Sequence, residues 1–150
     1  MKKIILSFLV LLFIGCNKDE LDEYPKLIEP VLIGNGSLHG NGSEGITQSN
    51  QIILNQTDWV NLITQLDSYN NVSNNFSNLN LDFSQFIIIA VFDEVRENGG
   101  HSIDIVEVME NKTNITIKIE KLQTGGGSSV ITQPFYIVEI PRTEKPIVFE

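Results

Sequence analysis

Acid–base or metal chemistry in this chain would have to come from His39, His101, Cys16 and a few runs of carboxylates. The 150 residues hold two histidines and one cysteine. A zinc centre needs more nitrogen or sulfur donors than these supply. Nucleophilic catalysis has no local signature either, since the chain contains neither a Gly-x-Ser-x-Gly elbow nor a Ser-x-x-Lys pair. Carboxylates cluster as Asp93-Glu94 with Glu97, and as Asp104, Glu107 and Glu110. Such groups could act as a glycosidase pair or hold calcium, but no Asp-x-Asp-x-Asp-Gly loop accompanies them. A solvated acidic strand edge is the simpler account. The expectation is therefore a non-enzyme, with no catalytic set, no metal and no cofactor.

Two glycine clusters stand out instead. Asn98-Gly99-Gly100-His101 leads into a strand, and Gly125-Gly126-Gly127 separates two strands. Consecutive glycines let a backbone take positive φ or approach another surface closely. They read either as flexible hairpin tips or as contact loops whose amides are free to meet a protein partner.

The elements that must position these loops are mostly strands. Residues 86–92 (FIIIAVF) form a continuous apolar run, the pattern of a central strand covered on both faces. Ile115, Ile117 and Ile119 alternate with Thr116, Lys118 and Glu120, giving a strand with one wet face. Residues 102–109 pair with it across a turn at 110–114, and their alternation slips between Ile105 and Val106, as at a bulge or under burial on both sides. Residues 135–140 and 146–149 supply two more strands. Residues 31–33 and 51–54 flank Asn35-Gly36-Ser37 and Asn41-Gly42-Ser43, which read as an irregular glycine-rich hairpin. One helix is legible: Thr57 caps it, Asp58 lies in its first turn, and Trp59, Leu62, Ile63 and Leu66 form its apolar stripe. Trp59 is expected as a core anchor, and residues 69–80 as a loop. The fold class is mainly β (α+β), a bent antiparallel sheet or partial barrel with one helix packed at one end.

The N-terminus addresses the chain to a membrane. Lys2 and Lys3 precede an apolar run from Ile4 to Ile14, broken by Ser7 and ended by Gly15-Cys16. That run fits a secretory signal and is too short to span a bilayer. Phe13-Ile14-Gly15-Cys16 resembles a bacterial lipobox, which implies removal of residues 1–15 and a lipid on Cys16. Residues 16–30 are acidic and proline-bracketed, and read as a tether. Within them Lys18-Asp19-Glu20 resembles the export signal of surface-displayed lipoproteins, which implies an outer-membrane, cell-surface address. Removing residues 1–15 takes two lysines and no acid, leaving eight basic against 19 acidic residues, a formal net charge of −11. Such a surface repels nucleic acid. Residues 31–150 then form a single domain.

Four segments stand in order: Gln51-Ile52-Ile53-Leu54 before the Trp59 helix, Asp82-Phe83 before a hydrophobic strand, Gly99-Gly100-His101-Ser102-Ile103, and Gln133-Pro134-Phe135-Tyr136-Ile137-Val138. In this order they resemble the protease complex subunit PrcB family, over roughly residues 31–149. The family usually has Thr-Gly-Gly-Tyr where this chain has Asn98-Gly99-Gly100-His101. The resemblance implies a non-catalytic lipoprotein that supports an envelope protease complex. A chagasin-type protease inhibitor is the alternative, with Asn98–His101, Gly125–Gly127 and Gln133-Pro134-Phe135 standing for its three loops. An envelope hydrolase is the third.

Overall fold

The computed structural model describes residues 23–150. The signal at 1–15, Cys16, Lys18, Asp19 and Glu20 lie outside the described residues. The elements run β1 (Lys26–Leu27), β2 (Val31–Leu38), β3 (Ser49–Ile53), α1 (Gln56–Leu66), a 3₁₀ turn (Val72–Asn75), β4 (Phe86–Phe92), β5 (Asp104–Glu110), β6 (Ile115–Glu120), β7 (Gln133–Pro141) and β8 (Ile147–Phe149). They build two four-stranded sheets, ordered β2-β7-β4-β3 and β1-β5-β6-β8. The mainly β class with one helix is as the sequence predicts, but two open sheets replace a single bent sheet or partial barrel. The helix covers a face of the first sheet rather than an end.

β4 explains the layering. Alternate side chains on a strand point to opposite faces. Ile88, Ala90 and Phe92 therefore join Trp59, Leu62 and Leu66 of α1 in one core. Ile87, Ile89 and Val91 face the second sheet and meet Ile105, Val108, Ile115 and Ile117 in another. Both faces are apolar because both are covered, as the continuous run predicts. Trp59 is buried as expected. Its indole N–H donates to the Leu79 carbonyl at 3.1 Å, and its ring stacks on Phe76.

Several local expectations are corrected. Asn55, not Thr57, caps α1: its Oδ1 accepts the Asp58 N–H at 3.0 Å. Asn35-Gly36 is not a turn but lies inside β2, paired with Tyr136 and Phe135 of β7; beside it Gly34 leaves room for the Phe76 ring, from which a Cβ would fall 2.4 Å. Asn41-Gly42 does turn, both residues at positive φ, yet no hairpin results. β2 pairs with β7 at one edge of the sheet, and β3 with β4 at the other. β8 runs parallel to β6. The segment expected as tether is docked by Lys26, where β1 pairs with β5, and Ile28 N–H donates to Val108. The bulge after Ile105 is present.

Candidate partner-contact site

Two connections cross between the sheets. Residues 93–103 leave β4 of the first sheet for β5 of the second, and residues 121–132 return from β6 to β7. Because β4 pairs with β7 and β5 with β6, the connections run side by side in opposite directions. The topology therefore brings the two glycine clusters together. Gly125 N–H donates to the Gly100 carbonyl at 3.0 Å, Gly126 N–H to Gly99 at 2.9 Å, and Gly99 N–H to Ser128 at 3.1 Å. His101 bridges Thr124, and Asn98 Nδ2 donates to the Gly126 carbonyl at 3.1 Å. The clusters form one ribbon. They are not two independent hairpin tips, and many of their amides are committed to each other rather than free.

The glycines of this ribbon are not equivalent. Gly100 and Gly125 have φ of +80° and +107°, a region that side chains with a Cβ rarely adopt. A Cβ on Gly125 would also lie 2.6 Å from His101 Nε2, and one on Gly100 would lie 3.0 Å from Gly126 N. These two serve the close approach of the strands. A Cβ on Gly126 would come no nearer than 3.9 Å to Gly99 O, and Gly127 opens onto free space. They form the rim.

The base of the ribbon is pinned by Asp93, which belongs to no carboxylate pair. Its side chain is fully buried, and its Oδ2 accepts from Arg96 at 2.8 Å while its Oδ1 accepts from Lys121 at 2.7 Å. Burial alone would push this carboxyl up; the hydrogen bonds from Lys121 and Arg96 outweigh it and hold the group below its usual range. Arg96 also reaches Glu94 at 2.8 Å. Gln133, 1% exposed, donates to the backbone carbonyls of Asp93 and Ile46. Lysine and arginine near an acid are too common in sequence to mark this cluster, and Lys121 lies 28 residues from Asp93.

The remaining candidates disperse. His101 Nε2 meets Asn98 Oδ1 at 2.9 Å, while His39 is exposed on the far side of β2. Asp104 accepts from Ser102, Glu107 stands opposite Lys118, and Glu110 accepts from Lys145. Among the described residues, no three His, Cys, Asp or Glu side chains gather as metal ligands. Gln133-Pro134-Phe135, the third loop of the inhibitor reading, is no loop. It lies buried in β7, between β2 and β4.

No protein family, curated protein or solved structure matches the chain.

Open space flanks the ribbon. A groove of about 390 Å³ runs between Gly100–Asp104 and the Asn35–Ser37 stretch of β2. A second, of about 570 Å³, lies on the other face of the same stretch, against Phe76 and an asparagine-rich loop.

Proposed function

We propose that this chain is a lipid-anchored bacterial envelope protein, displayed at the outer-membrane surface, that acts as a non-catalytic binding module. In this reading Cys16 carries the lipid, and the residues from there to Glu23 hold the folded body off the bilayer. Among the described residues, no helix is long and apolar enough to cross a membrane. The partner is a protein of the envelope, and the ordered resemblance to the PrcB family favours a protease complex whose assembly or stability the chain supports.

The observation that carries the reading is the ribbon. Two glycine clusters about 25 residues apart pair with each other, and leave Gly126 and Gly127 exposed on a rim, where a Cβ on Gly126 would meet only Gly99 O at 3.9 Å and one on Gly127 nothing within 4 Å. Glycine at such positions keeps a surface low, so that a partner can approach the backbone. The inhibitor reading has lost one of its three loops to β7 and is not pursued.

The test is co-purification of the tagged full chain from detergent-solubilised membranes of its own cells. The expected result is capture of an envelope protein by the wild type. Capture is lost in Gly126→Trp/Gly127→Trp, whose melting temperature stays within a degree or two of wild type. Cys16→Ala should leave the membrane fraction. Recovery of no partner by the wild type contradicts the reading.

A further inference from the structure

β2 is an edge strand, with β7 on one side only. Two independent contacts show which of its backbone groups face outward. Ser77 N–H donates to the Ile33 carbonyl at 2.8 Å from outside the sheet. On the inner side, the Pro134 carbonyl of β7 accepts from Asp93, so Pro134 points toward the β4 side. Its register partner Ser37 is therefore a non-bonded pair with β7, and its own N–H and C=O turn outward. The alternation gives Asn35 the same orientation. Ser77 covers the start of this edge, with its Oγ also donating to Leu32. From Gly34 to Leu38 the edge is bare: no group among the described residues bonds the outer N–H and C=O of Asn35 or Ser37.

This bare stretch is also the floor shared by the two grooves. On the helix side lies the half-buried Phe76 ring, and the side chains of Asn70, Asn71 and Asn75 line the wall without a bonding partner among the described residues. On the other side lie His101, Gln123 and Asp104. Among the described residues no lysine or arginine lines either groove, and Asp104 is their only carboxylate, in a chain of net charge −9. An anionic ligand finds no counter-charge there. A backbone in extended conformation finds a matching ladder of two donors and two acceptors.

We infer that the Gly34–Leu38 edge receives an extended, uncharged or weakly basic segment of a partner protein as an added strand. The inference deepens the binding reading above and rests on it. The added strand would cover about five residues, or about 17 Å. Its alternate side chains meet different surroundings: one set faces Phe76 and the asparagines of the first groove, the other faces His101, Gln123 and Asp104. The partner segment therefore alternates apolar with polar or basic residues.

The experiment selects from a displayed library of random nine-residue peptides on the full chain. Enriched peptides should show that alternation. N-methylation of their backbone should weaken binding at every second position, because only alternate amides face β2. Ser37→Pro removes an outward donor that β7 does not use, so it should weaken peptide binding at least tenfold with little change in melting temperature. Should Ser37→Pro fail to fold, amide exchange on the wild type decides the matter: added peptide should slow exchange at Asn35 and Ser37. Any one of four results overturns the inference: no enrichment, indifference to N-methylation, binding of an oligosaccharide array in place of peptides, or a concentration-dependent dimer that Ser37→Pro abolishes. If Ser37→Pro still captures the membrane partner while the Gly126/Gly127 variant does not, the strand-addition inference fails and the binding reading stands. If no variant and no wild type captures a partner, the binding reading itself fails.

Discussion

The body of the sandwich and the ribbon that joins its sheets are held together by different means. In the body, β4 sends apolar side chains into a core on each face, and every β4 residue from Ile87 to Phe92 is buried. The ribbon has no core. Backbone pairing, two glycines of unusual φ and one buried carboxylate keep it in place. The difference separates stability from contact. A substitution in the body acts through lost burial, whereas one on the ribbon's rim changes the surface and little else.

Trp59→Ala should cost the most, about 3–5 kcal/mol, because it empties the space between α1, Phe76 and the first sheet. A urea melt measures it; an unchanged midpoint would mean that the body does not depend on its aromatic core. Asp93→Ala should cost less, roughly 1–3 kcal/mol, since Arg96 and Lys121 lose their partner but keep access to water. The same residue sets a pH dependence. Its folded-state pKa is depressed, so its contribution is full above the unfolded value of about 3.9 and is lost as pH falls through the lower folded value. Melting temperature should drop below about pH 4 in the wild type, and drop less in Asp93→Asn. Parallel curves for the two proteins would remove Asp93 from the account.

Within the ribbon the comparison sharpens. Gly125→Ala should destabilise by about 1–2 kcal/mol, the cost of a Cβ at positive φ, with His101 displaced in addition. Gly127→Ala should stay within about 0.5 kcal/mol of wild type. Equal effects at the two positions would erase the distinction between the paired glycines and the rim.

These differences also mark how far local pattern reaches. The central strand, the wet-faced strand at 115–120, the bulge after Ile105 and the Trp59 stripe were legible because burial imposes a period on neighbouring residues. The fate of Asn35-Gly36 was not, because Gly36 lies against Phe135 and its neighbour Gly34 against Phe76, both distant in sequence, rather than in a turn. Asn55 was hidden behind Thr57, another capping type two residues on. The glycine clusters were visible as loops, but their pairing follows from two crossings between sheets that no local signal encodes. Asp93 looked like one of several surface acids until Lys121 and Arg96 met it from two connections.

The central claim is that the ribbon is a contact surface. Amide hydrogen exchange on the captured complex, compared with the isolated chain, tests it most directly. Exchange should slow at 98–102 and 124–129 when the partner is bound, and stay unchanged on the solvent face of α1. Slowing confined to α1 or to the second sheet's outer face, with the ribbon amides untouched, would contradict the account.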